Sequence, residues 1–278
     1  MEIHNTSSNQ GSRVEALWAD LFSPAFWVAA GQIIGINIIL SGDNAVVIAL
    51  ACRMLPPKQR FWGMILGAGV AVLLRIVFTL VVAQAMTYPF LKLVGGVLLI
   101  WVAVKLVVPE EDEGEGRVAA AENLWRAVRI VAIADIVMSL DNVIAIAAAA
   151  ETAAARVDLA HAAAIKTVLI VFGLATSIPL IVAGSALLMA LLDRYPILVW
   201  AGAALLGWVA GDIMAKDAAL EGFVDPAGLK VLHYWAAAAG AVFVVAMGWW
   251  LRQYQHRRAL DHPLIVDPPG PEEFPHKR

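Results

Sequence analysis

The chain has 278 residues, of which 61% are apolar and 15% charged, whereas a water-soluble domain carries about half apolar and about a quarter charged residues. A net charge of −3 argues against a nucleic-acid binder, which needs a basic face to displace counterions from phosphate, and a single cysteine, Cys52, excludes an internal disulfide framework or a cysteine-rich metal or iron–sulfur site. The solvent implied for most of the chain is lipid, which makes membrane lipid its first expected partner.

Residues 1–25 form a polar N-terminal segment without a basic stretch leading into a cleavable apolar one, so the first span is expected to act as its own insertion signal. Apolar stretches follow at 26–51, 61–86, 90–108, 124–150, 165–192, 197–215 and 234–251. Each is of the length that crosses roughly 30 Å of hydrocarbon at about 1.5 Å per residue. Period-two alternation is absent, which argues against a β-barrel. The expected fold is all-α: a polytopic membrane protein with seven transmembrane helices. Between the third and fourth spans, Glu110-Glu111-Asp112-Glu113-Gly114-Glu115-Gly116 marks an acidic cytoplasmic linker, 109–123. Residues 216–251 supply a loop and the seventh helix. The tail, 252–278, is broken by Pro263, Pro268, Pro269, Pro271 and Pro275 and reads as a disordered cytoplasmic end.

Lysine and arginine placement gives the orientation, because basic loops resist translocation. With the N-terminus out and the C-terminus in, thirteen basic residues, among them Arg53, Lys58, Arg60, Arg126 and Arg129, collect in the cytoplasm, and five, Arg13, Arg156, Lys166, Lys216 and Lys230, stay outside. Trp27, Trp62, Trp125, Trp235, Trp249 and Trp250 fall near span ends, as in an interfacial belt, whereas Trp101 and Trp208 lie deeper.

Those two tryptophans belong to an internal repeat. Pro89-Phe90-Leu91 through Trp101-Val102-Ala103 matches Pro196-Ile197-Leu198 through Trp208-Val209-Ala210 at a constant offset of 107 residues. The first span matches the fourth at an offset of 98: Asn37 on Asp135, Ser41 on Ser139, Asp43 on Asp141, Asn44 on Asn142. Two three-helix units, 26–108 and 124–215, therefore repeat. An odd number of spans per unit inserts the second upside down relative to the first, the inverted plan of many secondary transporters, with the seventh helix outside the repeat.

The chemistry concentrates in Asn37-Ile38-Ile39-Leu40-Ser41-Gly42-Asp43-Asn44 and Asp135-Ile136-Val137-Met138-Ser139-Leu140-Asp141-Asn142. An Asp at a helix centre costs about 2.5–3.5 kcal/mol on a translocon scale, so something must offset it. At about 100° per residue, Asn37, Ser41 and Asn44 share a face, as do Asp135, Ser139 and Asn142. Asp43 and Asp141 lie roughly 100° from the adjacent Asn on a regular helix, so either the polar face is wide or the helix opens locally and turns each Asp into the same cavity. Gly42 invites such a break in the first span; the matching Leu140 does not.

The expected site is a midplane pocket lined by Asp43, Asp135 and Asp141, with oxygens from Asn44, Asn142, Ser41, Ser139 and Asn37. Carboxylate, amide and hydroxyl oxygens without Cys or His suit a hard divalent cation such as Mn²⁺, Mg²⁺ or Ca²⁺. Packing by hydrogen bonds across helices is the plain alternative; Ser41 and Ser139 fit it as well as they fit a site, the paired acids less well.

Arg75, near the middle of the second span, is placed to pair with one of these acids when the site is empty, or to serve as a structural counterion. Lys92, Lys105 and Asp212 sit near span ends, where snorkelling is expected, although the repeat sets Lys105 opposite Asp212. His161 and His233 border loops, where a histidine is more often exposed than liganding. Gln32 faces the polar stripe only if the first helix stays regular.

The two motifs together resemble the TerC family of integral membrane proteins, in particular its short bacterial YjbE-type branch, over roughly 26–251. The resemblance implies kinship with LysE-like transporters built of inverted three-helix units, export of metal ions with manganese foremost, and an association with tellurium resistance. Its acidic metal positions fall on Asp43, Asp135 and Asp141. Related exporters can carry an acid where this chain has Asn37, and larger relatives carry a C-terminal soluble domain where this chain has a short tail.

The expected function is therefore divalent metal export, Mn²⁺ first, across the bacterial cytoplasmic membrane. The transported ion is the cargo; no cofactor is called for, and a homo-oligomer is compatible with the spans. Alternatives are a LysE-like amino-acid exporter and a non-transporting component of a metal or tellurite stress complex, docked through the acidic linker. An enzyme is not expected, since no His-Glu-x-x-His or Gly-x-Ser-x-Gly pattern occurs.

Overall fold

The computed structural model describes residues 15, 18–82, 88–108, 117–220 and 226–261, and these are mostly helical, with no strand among them. The elements are α1 (Pro24–Leu40), α2 (Gly42–Cys52), α3 (Pro57–Val77) continued by a π-helical stretch (Phe78–Val82), α4 (Leu91–Val107), α5 (Arg117–Val157), α6 (Ala162–Thr176), α7 (Ile178–Arg194), α8 (Ile197–Ala215) and α9 (Pro226–Asp261). The acidic run 110–116 and the proline-broken segment 262–278 lie outside the described residues. The helix of α5 already begins at Arg117, within the expected linker, and α9 runs on through 252–261.

Proline and serine set most of the helix starts. Ser23 caps α1, its Oγ accepting from the Phe26 amide at 3.2 Å, and Pro24 opens the helix. Pro57 opens α3, and Pro179 falls in the first turn of α7, directly after the interruption at Ser177. The start of α4 is unusual: Phe90 takes a left-handed backbone (φ 68°), strained for a bulky residue. Asp217, wholly buried in the turn after α8, holds it there, accepting from the amides of Phe90, Lys92 and Leu93 at 2.8, 2.9 and 3.0 Å. Burial raises the Asp217 pKa, but these donations and that of Ala219 outweigh it and leave the carboxyl below its ordinary value.

Among the described residues, five helical stretches are long and apolar enough to cross a membrane (Pro57–Val81, Ala121–Val157, α6 with α7 over Ala162–Arg194, Ile197–Ala215 and Val231–Arg257), and six if the bent pair α1 and α2 counts as one span, against the seven expected. The expected third span forms α4, whose 17 residues reach about 25 Å at about 1.5 Å per residue, short of a full bilayer core.

At the centre is α5, packed on α1, α2, α3, α4 and α6; α2 packs on α7, α1 on α6, and α8 on α4 and α9. Without a hydrophobic driving force between helices in lipid, close backbone approach matters most. At Gly207 and Gly211 of α8, an added Cβ would collide with the carbonyls of Gly240 and Ala236 of α9, so this small-residue stripe is what seats the last helix. The six tryptophans near span ends all lie more than half exposed, and Trp101 and Trp208 also face outward at 49% and 42%.

Candidate functional site

The first span breaks at Ser41. There α1 ends, α2 begins, and the axis turns by 52°. The Ser41 amide donates to the Ile38 carbonyl at 3.2 Å, a tightened last turn. The matching stretch of α5, with Leu140 in place of Gly42, runs through as one helix of 41 residues. A broken span frees backbone groups that need new partners. Asn142, from the second motif, supplies one: its Nδ2 donates to the Leu40 carbonyl at 3.1 Å.

One turn earlier, the two motifs meet on Arg75, a residue of α3 only 1% exposed. Its Nη2 donates to Asp135 Oδ1 at 2.5 Å, its Nε to Ser139 Oγ at 3.1 Å, and its Nη1 to Ser41 Oγ at 2.6 Å and Asn37 Oδ1 at 3.2 Å. Ser139 Oγ also donates to Asp135 Oδ2 at 3.2 Å, and Ser41 Oγ to Asn37 Oδ1 at 3.3 Å. Four of the predicted site residues, Asn37, Ser41, Asp135 and Ser139, are thus brought together, each buried. Asn37 Nδ2 donates to Ser177 Oγ at 2.6 Å, across to the interruption between α6 and α7.

The other two acids are not gathered into that network. Asp43, in the first turn of α2, accepts from the Asn44 amide at 2.9 Å and makes no ion pair among the described residues, although the charges of Arg75 and Asp135 act on it. Next to it, Asn44 Oδ1 is buried with no hydrogen-bond partner among the described residues. Asp141 is clamped instead: Lys92 reaches Oδ1 at 2.7 Å and Lys216 reaches Oδ2 at 3.2 Å. Lys216 also bonds Asp212 at 2.6 Å, with His233 at 3.9 Å from that same carboxylate. A carboxylate shared by two ammonium groups has little left to offer a cation; one beside an orphaned amide oxygen has a great deal.

Several expectations for single residues change. Lys92 does not snorkel but points inward to Asp141, and Asp212 is paired with Lys216, not with Lys105, which lies 5.1 Å from the Trp101 ring. Gln32 is exposed and takes no part in the polar stripe. His161 is not free: its Nδ1 lies 2.9 Å from Asp20 and 2.7 Å from Asp158, and these form the one His and acid group of metal-ligating geometry among the described residues. The amide of Ala160 and the nearby His161 hold the Asp158 carboxyl below its ordinary pKa.

Sequence reasoning missed Ser177, Asp217 and the Asp20, Asp158, His161 group. A signal existed for Ser177 alone, as a hydroxyl in the fifth span at about the height of Arg75 in the second.

A model of the integral membrane protein TerC family matches residues 22–257. The chain is 38% identical over 196 residues to the membrane protein YjbE of Bacillus subtilis (strain 168), an alignment covering 70% of this chain and 83% of that one. It is 26% identical over 159 residues to the membrane protein YceF of the same organism, covering 54% and 62%. To the UPF0053 inner membrane protein YgdQ of Escherichia coli (strain K12) it is 28% identical over 144 residues, covering 46% and 61%. No solved structure matches. A family match over nearly the whole span region, joined to polar motifs set inside apolar helices, leads to one statement of kinship: the chain belongs to the TerC family of integral membrane proteins.

Proposed function

We propose that the protein exports a divalent metal cation, Mn²⁺ foremost, across the cytoplasmic membrane by alternating access. The observation that carries this reading is the pair Asp43 and Asn44 at the helix break: among the described residues, a carboxylate in no ion pair and a buried amide oxygen with no hydrogen-bond donor. Both are hard oxygen ligands, suited to Mn²⁺ or Mg²⁺ over a thiophilic metal. Backbone carbonyls freed where a span is interrupted are ligands of the same kind.

The inverted plan of two three-helix units finds support in contacts that occur in mirrored pairs. Asp135 of the fourth span meets Arg75 of the second, while its counterpart in the first, Asn37, meets Ser177 of the fifth. A Cβ added at Gly67 of the second span would touch Val131 of the fourth, and one at Gly173 of the fifth would press on Ile33 of the first. Ile33 and Val131 stand at the same offset of 98 as Asn37 and Asp135. With the N-terminus out and the C-terminus in, Asp43 lies in the inner half of its span and Asp141 in the outer half. The cation then enters beside Asp43, with the outer acid closed off by Lys92 and Lys216.

The test is cellular manganese in a deletion strain carrying wild type or Asp43→Asn. Wild type is expected to lower the manganese content and the variant to leave it high; equal contents overturn the proposal. Proteoliposomes offered Mn²⁺ or lysine separate metal export from amino-acid export. A phenotype that survives Asp43→Ala and Asp141→Ala but not deletion of 110–116 identifies a stress-complex component instead.

A further inference from the structure

We infer that Arg75 is a built-in counter-cation: it holds the oxygens of Asn37, Ser41, Asp135 and Ser139 when no metal is bound, releases them as a metal seated at Asp43 draws on them, and retakes them to carry the empty site back. The inference rests on the metal-export reading and assigns Arg75 the step that the metal does not drive.

The argument starts from charge. A guanidinium 1% exposed in a membrane span is costly unless every donor finds an acceptor. Here the acceptors are Asp135, Ser139, Ser41 and Asn37, drawn equally from both motifs. One side chain on α3 therefore fastens the first span to the fourth through oxygens of the same two motifs that carry Asp43 and Asn44, so a metal held there can recruit them only when Arg75 lets go. With Arg75 in place, Asp43 and Asp135 leave the empty site with one net negative charge. Without it the empty site carries two. With a divalent metal bound, the same two acids are neutralised and Arg75 becomes surplus. Moving uncompensated charge through a low-dielectric core is slow, so the return of the empty site needs the guanidinium and the loaded step does not.

The helix that carries Arg75 is built for a change of register. The π-helical stretch Phe78–Val82 begins three residues after Arg75. Between them the Phe78 amide is shared by the carbonyls of Leu74 and Arg75, and Thr79 Oγ donates to the Arg75 carbonyl at 2.7 Å. A π turn holds an extra residue, and passing it along the helix rotates the side chains it crosses. Such a shift withdraws the guanidinium without unfolding the span. The matching span is also interrupted, at Ser177, but presents a hydroxyl there and no charge.

The experiment compares net Mn²⁺ efflux with Mn²⁺/Mn²⁺ exchange in proteoliposomes of the full chain, since exchange never requires the empty site to return. For Arg75→Gln, net efflux is expected to fall at least tenfold while exchange stays within about twofold of wild type. Equilibrium Mn²⁺ affinity should rise severalfold, because the competing cation is gone. Arg75→Lys keeps the charge and is expected to retain most of the net efflux; it also serves if the Gln variant does not fold. Equal losses of efflux and exchange in folded Arg75→Gln, or in Arg75→Lys, would make Arg75 a structural strut and overturn the inference alone. Unchanged efflux in Arg75→Gln would overturn it as well. Wild type that moves no Mn²⁺ in either mode overturns the metal-export reading, and this inference with it.

Discussion

The first and fourth spans carry nearly the same residues in the same order, Ser41-Gly42-Asp43-Asn44 and Ser139-Leu140-Asp141-Asn142, yet the two acids live differently. Asp43 sits just beyond a break, beside an amide oxygen without a donor, and has no ion pair among the described residues. Asp141 sits in an unbroken helix and is held by Lys92 and Lys216. A motif repeated in sequence is therefore not a site repeated in space. The first span breaks at Ser41 where the fourth runs on through Ser139, and the lysines, brought from α4 and the end of α8, decide whether the acid is available.

Neutralising each acid in turn is the most forceful way to break this comparison. Asp43→Asn is expected to abolish Mn²⁺ flux in proteoliposomes and Asp141→Asn to leave a reduced but measurable one; equal loss from both would erase the distinction. Next in size is Asp135→Asn, which strands the buried Arg75 without its counter-charge. Removing one partner of a buried pair costs about 3–5 kcal/mol, so thermal unfolding in detergent should shift down well beyond the shift for Asp43→Asn, whose carboxylate has no such partner.

A smaller effect is expected at Asp217, which caps the start of α4 and so steadies Lys92 against Asp141. Loss of a helix cap costs about 0.5–2 kcal/mol, and Asp217→Ala should lower stability by that order. The carboxyl of Asp217 lies below its ordinary value of 3.8, so its contribution is complete above that pH and disappears as pH falls through the lowered value. The stability difference between wild type and Asp217→Ala should be constant in the neutral range and narrow only in strong acid. A difference that narrows near neutrality would show that the carboxylate is not the cap.

The smallest stability effect carries an opposite sign. Nothing lies within 4 Å of a Cβ built at exposed Gly42, so the first side-chain carbon of Gly42→Leu, which copies the fourth span, meets no neighbour. Leucine favours the helix over glycine by up to about 1 kcal/mol. Unfolding temperature is expected to rise slightly while Mn²⁺ flux falls, and a variant that keeps full flux would separate the break from transport.

Much of this was legible in the chain. Apolar runs gave most of the spans, Gly42 against Leu140 gave the one broken motif, and a lone arginine inside an apolar stretch pointed to an acid partner, found in Asp135. What the sequence could not supply were the choices among distant partners. Lys216 and Asp141 are 75 positions apart, and His161 and Asp20 are 141 apart. No periodicity links them, because which lysine reaches which acid depends on helix rotation set by packing. The bounds of α4 were legible to within a residue at each end, 90–108 against Leu91–Val107, but the left-handed turn at Phe90 and the cap from Asp217 that hold its start were not.

The most direct test of the whole account is the anomalous signal of Mn²⁺ bound to the full-length protein. The account predicts an ion at the break in the first span, within bonding distance of Asp43 and Asn44 and absent in Asp43→Asn. An ion seated at Asp141 between the lysines, or Asp43 left bare at saturating Mn²⁺, would contradict it.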